Sequence, residues 1–262
     1  MIKIFRQFYK FAGFIFLVVT FVLSASIVKL AVRNLDRRRK LLAQLISLHS
    51  MLCLKLFSVQ IINSNQFKNG RSAHLYVSNH LSYLDILILS SQTPCSFVTS
   101  IEVKGMPFLG QLSELGGCLY VERRSRDNLN HEISDITDAL AAGLNVCIFP
   151  EATSTNGESV LRFRRPLYNA AIRSCTPVVP VCINYLTIDG HLVSPSNRDK
   201  VFWYGDMGFL GHLFELLSCR KIQVDVQYEA KVSTGEHTTA QDLAELTHSV
   251  ISRAFQPVLN TI

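Results

Sequence analysis

Residues 11–28 carry no charged side chain, which restricts the amino-terminal region to one kind of element. Backbone N–H and C=O groups surrounded by lipid must pair within their own segment, and a helix does so locally. Lys29 interrupts the stretch and residues 30–32 extend it. Its length is near the lower limit for crossing about 30 Å of hydrocarbon. Lys3, Arg6 and Lys10 precede it, whereas Arg33 and the run Arg37, Arg38, Arg39 and Lys40 follow it. The cationic excess downstream predicts a spanning helix with the rest of the chain on the cytoplasmic side. One alternative is a cleaved signal peptide. Ser24, Ala25 and Ser26 have suitably small side chains, but apolar residues continue past them and a basic block follows. The other is a helix lying in the membrane interface. Residues 41–56 are less apolar and read equally as a membrane-surface helix or a core helix. In the first case Lys40 and Lys55 would meet lipid phosphates; His49 is structural in either.

What remains is enough for one substantial core of about 200 residues. Net charge is +6 and apolar content 48%, with mean hydropathy +0.22 and pI about 9.0. That balance points to an anionic membrane surface or an anionic substrate. No Lys/Arg run is interleaved with aromatics, which argues against nucleic acid. The seven cysteines include no C-x-x-C pair. Cys53, Cys118, Cys147 and Cys182 lie in apolar runs and read as small core residues in a reducing compartment, not as a disulfide framework or zinc site.

From Val59 onward, apolar runs alternate with polar turns and amphipathic stretches. Strands are predicted over 58–62, 74–78, 96–99, 117–122, 145–149, 178–185 and within 222–232. Helices are predicted from 83–90 and over 130–142, 166–173 and 238–259. Ile133, Ile136 and Leu140 recur at helical spacing, and Gly143 suits the end of that helix. Thr238 and Gln241 stand at capping-box spacing. The alternation predicts an α/β fold: a mixed, largely parallel sheet flanked by helices, with an amino-terminal membrane helix.

Sheets of this kind bind ligands beyond the carboxyl ends of their strands. Three apolar runs are followed at once by residues with chemistry: His80, then Glu122 with Arg123 and Arg124, then Glu151. Together they supply a base, a cation and a carboxylate to one edge. Histidine suits proton removal near neutral pH, and a carboxylate such as Asp85 can hold its ring in one tautomer. His237 and Asp242 share the spacing of His80 and Asp85. They lie in a polar turn before a helical pattern and read as loop and helix-start residues, so spacing alone carries no function. Helix positions five apart lie about 140° from each other. His80 therefore belongs on the turn, with Asp85 in the first turns of the following helix and Asn79 or Ser82 suited to cap it. N–H groups at that helix start favour a nearby anion.

These residues resemble the glycerolipid acyltransferases typified by lysophosphatidate acyltransferase. Residues 79–85 resemble the family's N-H-x-S-x-x-D block, 117–123 its G-x-[IV]-[FY]-[IV]-x-R, 149–154 its F-P-E-G-T-R and 178–181 its V-P-V segment. Residues 104–110 and 163–165 fit the linking patterns, so the resemblance covers roughly residues 60–190. It implies transfer of a fatty acyl group from acyl-CoA or acyl carrier protein to a lysolipid hydroxyl at a membrane, with no metal or bound cofactor. By resemblance, His80 is the general base and Asp85 orients it. The hydroxyl attacks the thioester directly. Arg123 would bind the acceptor's phosphate and Glu151 would help position the acceptor, with Asn79, Ser82 and Thr153 as further substrate-binding candidates. Residues 1–57 are then membrane-anchoring helices and 58–262 the acyltransferase domain.

Two residues depart from the family pattern. Ala152 stands where glycine is usual, adding a methyl group where backbone may approach ligand. Ser154 stands in place of the third block's arginine, removing a phosphate-binding cation; Arg124, Arg126 and Arg162 are candidates to replace it. The acceptor expected from the resemblance is 1-acyl-sn-glycerol-3-phosphate. Ser154 motivates the alternatives, lyso-ornithine lipid or another lysophospholipid. A catalytically silent lipid-binding relative is the alternative of another class, opposed by the presence of both His80 and Asp85.

Overall fold

A computed structural model describes residues 2–64, 72–122 and 128–259. The apolar stretch is one helix, α1 (Ile2–Ala31), and the segment after it a second, α2 (Leu35–Phe57). Asn34 caps α2 by accepting the Arg37 N–H at 2.8 Å. Ser58, expected to open the first strand, instead closes α2 in the left-handed conformation, φ 63°, with its N–H on the Leu54 and Lys55 carbonyls.

The strands are β1 (Val59–Ser64), β2 (Leu75–Ser78), β3 (Ser96–Ser100), β4 (Leu119–Val121), β5 (Val146–Ile148), β6 (Val178–Ile188), β7 (His191–Leu192) and β8 (Ile222–Tyr228). They form one sheet in the order β1-β8-β6-β2-β5-β3-β4, with β7 paired to β6. Pairing is parallel except where β6 meets β7 and β8. The sheet is therefore mixed and largely parallel, as the alternation predicts. β2 runs between β5 and β6 and all its residues are buried. An apolar run covered on both faces suits such a central parallel strand, and it delivers its next residues, Asn79 and His80, to the sheet's carboxyl edge.

Helices α3 (Leu84–Gln92), α6 (Leu129–Ala141), α7 (Tyr168–Arg173) and α9 (Ala240–Ala254) fall where sequence periodicity places them. α4 (Ile101–Lys104), α5 (Leu109–Leu115) and α8 (Phe209–Ser218) have no counterpart in the sequence reading. In α8, Phe209, Leu213, Leu216 and Leu217 have helical spacing, but Gly208 and Gly211 punctuate it like a turn. The last helix is shorter than expected and starts differently. Its capping box pairs Thr239 with Asp242, while Thr238 accepts the Gly235 N–H. It ends at Ala254 because Pro257 disfavours helical backbone at Gln256. Asn184 holds the tail, accepting the Gln256 N–H and donating to the Ala254 carbonyl.

α1 lies against the domain and is fixed by its own cations. Arg6 donates to the Ser218 carbonyl at the end of α8, and Lys10 to the Phe57 and Cys219 carbonyls that end α2 and follow α8. Lys29 donates to the Glu114 carbonyl in the last turn of α5. Helix ends carry unpaired carbonyls and partial negative charge, which these ammonium and guanidinium groups satisfy. The opposite face of α1 exposes Phe5, Phe8, Phe16, Val19, Leu23 and Ile27.

Candidate active site

His80 sits on the turn between β2 and α3, as its spacing to Asp85 requires. Its Nδ1 lies 2.9 Å from Asp85 Oδ2. Asp85 is fully buried in the first turn of α3. The same Oδ2 accepts the N–H groups of Leu81 (2.6 Å) and Ser82 (2.9 Å), and Oδ1 accepts the Tyr185 hydroxyl (2.7 Å). A carboxylate accepts only, so Nδ1 carries the proton and Nε2 is left free. The His80 ring stacks on Phe149 with centroids 4.0 Å apart.

Asp85 also does the capping expected of Asn79 or Ser82. Tyr83 is the N-cap residue and makes no side-chain cap bond. The carboxylate reaches back from the first turn to the N–H groups before it, a favourable placement at a helix start. Asn79 is 1% exposed and instead extends the sheet: its amide donates to the Ile183 carbonyl and accepts the Ile183 N–H. Ser82 is buried, with Oγ accepting the Leu84 N–H at 3.3 Å.

Glu151 follows β5 and is 5% exposed. Oε1 accepts the backbone N–H of His80 at 2.7 Å and Oε2 that of Leu161 at 2.7 Å. Burial pushes its carboxyl up to about 7, while the N–H groups of Leu161 and His80 pull it down and the Asp85 charge raises it. The Thr155 N–H donates to the His80 carbonyl. Both backbone polar groups of His80 are thus held by the loop after β5. Ala152 in that loop has φ 62°, a conformation natural to glycine, so the family's preference there has a local backbone reason. Thr153 is exposed to the cavity beside His80, whereas Ser154 Oγ donates to the Trp203 carbonyl at 2.5 Å. The Trp203 N–H donates in turn to the Leu81 carbonyl.

His80 opens into a cavity of about 460 Å³ walled mainly by apolar side chains. Phe14, Leu17 and Phe21 of α1, Ile46 of α2, Phe97 of β3 and Leu112 of α5 contribute to it. A cavity of this size and polarity suits an alkyl chain. His49 also lines it, but its ring nitrogens face the Leu45 carbonyl and the Thr20 hydroxyl. Of the sequence-derived candidates, His80 and Thr153 face the cavity, while Asp85, Asn79, Ser82 and Glu151 stand behind them. Arg123, with Arg124 and Arg126, lies outside the described residues. Sequence reasoning missed Tyr185, Trp203 and the contribution of α1 to the cavity wall. The sole signal for Tyr185 was its phenol, a polar tip on an otherwise apolar side chain late in β6.

Residues 58–184 match the family model described as Acyltransferase. A lyso-ornithine lipid O-acyltransferase of Rhizobium meliloti (strain 1021) is 32% identical over 205 residues, covering 76% of this chain and 70% of the relative. The chain belongs to the glycerolipid acyltransferase family. A second relative, the 1-acyl-sn-glycerol-3-phosphate acyltransferase of Neisseria gonorrhoeae, is 28% identical over 162 residues, 62% of this chain and 61% of that protein. The crystal structure of the 1-acyl-sn-glycerophosphate acyltransferase from Thermotoga maritima shares the acyltransferase fold. Its TM-score is 0.63 at 18% identity, covering 96% of this chain and 95% of that one.

Proposed function

We propose that this chain is a membrane-associated O-acyltransferase that moves a fatty acyl group from a thioester to a lysolipid hydroxyl. The observation that carries this reading is the meeting of the His80–Asp85 pair with a chain-sized apolar cavity. Nε2 of His80 removes the acceptor's hydroxyl proton as the oxygen attacks the thioester carbonyl. The tetrahedral adduct collapses by breaking the C–S bond, and the imidazolium returns the proton to the leaving thiolate. The products are an ester and a free thiol. The reaction so written uses no enzyme nucleophile, metal or bound cofactor, and acyl-CoA and acyl carrier protein are both suitable donors.

A phosphate-free acceptor such as lyso-ornithine lipid is favoured by Ser154. Its hydroxyl is spent on Trp203 where the family pattern has a phosphate-binding arginine, and the described cavity wall includes no Lys or Arg. The second reading, 1-acyl-sn-glycerol-3-phosphate, rests on Arg123 in the second block.

The docked α1 supports a membrane-embedded rather than a membrane-crossing arrangement. Lys10 and Lys29 are both tied to the domain, and nineteen helical residues span about 28 Å. A helix held at both ends along the domain immerses its outer apolar row in one leaflet. That leaflet would be the cytoplasmic one, where thioester donors are made.

The test is thiol release by purified protein supplied with acyl-CoA and a panel of lysolipids. Lysolipid-dependent release that falls at least about 100-fold in His80→Ala supports the reading. An unchanged rate in that variant overturns it. Preference within the panel for phosphate-bearing or phosphate-free acceptors decides between the two.

A further inference from the structure

Asp85 is the most heavily hydrogen-bonded side chain of the site, and its partners divide unevenly. Oδ2 accepts from His80 Nδ1, Leu81 N–H and Ser82 N–H. Oδ1 is served by the Tyr185 hydroxyl alone among the described residues. The three Oδ2 donors come from the turn that Asp85 itself caps. Tyr185 comes from β6, one hundred residues away in sequence. The same strand grips Asn79 through the backbone N–H and C=O of Ile183, two residues before Tyr185. β6 therefore fixes both ends of the turn that presents His80. The Tyr185 ring packs edge-on against Phe202 with centroids 5.3 Å apart, and the side chain is buried.

We propose that Tyr185 is a positioning residue for acyl transfer: by donating to Asp85 Oδ1 across the working pH span it fixes the orientation of the carboxylate that holds the His80 ring and draws off part of its charge. This rests on His80 acting as the base. Burial and the adjacent Asp85 charge hold the phenol well above its ordinary range, so it remains a donor throughout that pH span. The other titratable groups that interact with Asp85 are His80 itself, Glu151 after β5 and Cys147 on β5, while Tyr83 at the start of α3 acts on Tyr185. None of them donates to Oδ1. Without the phenol, the negative charge concentrates on Oδ2 facing Nδ1–H. The pair then takes up its proton at higher pH, by about one pH unit for a lost hydrogen bond to a charged group.

Tyr185→Phe keeps the ring and removes the donor. The acid limb of kcat/KM against pH should move up by about one unit, a roughly tenfold loss on that limb. The rate should return to within a few-fold of wild type above the limb, with KM for the lysolipid unchanged. A second readout does not require turnover. The imidazole titration of His80, followed by NMR of histidine-labelled protein and assigned by its loss in His80→Ala, should shift upward in Tyr185→Phe. In an Asp85→Asn background the same substitution should change kcat less than twofold. An unshifted titration and pH profile, or an equal loss at every pH, would overturn the proposal. If wild type acylated no lysolipid, the proposed function would fall while the titration still decided the part played by Tyr185.

Discussion

Glu151→Gln separates two roles for the glutamate. The family resemblance assigns it to the acceptor; the geometry assigns it to the His80 backbone. Its two oxygens accept from His80 and Leu161, each at 2.7 Å. Glutamine keeps one acceptor and sets an NH2 against the other N–H. Losing a charge-assisted hydrogen bond costs about 1.5–3 kcal/mol, which is roughly 10- to 150-fold if expressed in the transition state. A second route gives a similar figure. Two facing donors must part by about 1 Å to relieve their clash, and a 1 Å misplacement of catalytic geometry costs on the order of 100-fold. Glu151 is 5% exposed and is not part of the cavity wall, so lysolipid KM should stay within about twofold. Thermal stability should change little, because the orphaned N–H is offset by removal of a buried carboxylate. The assay is thiol release against lysolipid concentration at pH 8, alongside thermal unfolding in detergent. A tenfold rise in acceptor KM with kcat preserved would refute the clamp and restore the acceptor-binding reading.

Because burial raises Glu151 from an ordinary 4.5 to about 7, the folded state holds its proton more tightly than the unfolded chain. The stability this contributes is present below pH 4.5 and lost as pH rises through 7, on the order of 3 kcal/mol; Glu151→Gln should flatten that part of the stability–pH curve, and parallel curves would contradict it. Leu17→Trp narrows the cavity; excluding about three methylenes at ~0.8 kcal/mol each predicts a roughly 50-fold loss of preference for the longest donors, measured over an acyl-chain series and disproved by an unchanged chain-length profile. Lys10→Met strips two carbonyls of a 4%-exposed ammonium; unfolding should become easier by roughly 3 kcal/mol, and a change below about 0.5 kcal/mol, the ordinary scale for surface substitutions, would show that the Lys10 ammonium does not hold α1 in place.

Much of the fold was legible because apolar runs report burial directly. β2, β5 and β6 are central strands, and their apolar runs over 75–77, 146–148 and 178–183 mark them as such. The His80–Asp85 pair was legible because helix geometry forbids it any placement but turn and first helical turn. What escaped depends on distance in sequence. Tyr185 reaches Asp85 across one hundred positions, and Trp203 reaches Ser154 across forty-nine. No local spacing encodes either. The cations of α1 were legible as flanking charge but not as helix caps. Their partners are backbone carbonyls, which have no residue-type signature in the sequence.

Ala152 and Ser154 look like separate departures from the family pattern, but the loop after β5 links them. At φ 62° an alanine costs roughly 1–2 kcal/mol more than a glycine would from side-chain sterics alone. Such backbone persists only where its surroundings over-determine it. They do here: Thr155 N–H on the His80 carbonyl, Arg164 N–H on the Pro150 carbonyl, the Glu151 carboxylate on two segments, and Ser154 Oγ on Trp203. With arginine at 154 the last of these bonds is lost to a side chain that would point at ligand. With serine the loop gains an anchor, and that anchor helps offset the strain of alanine at 152. The two substitutions are therefore expected to couple, Ser154→Arg being tolerated better in an Ala152→Gly background than in the native loop.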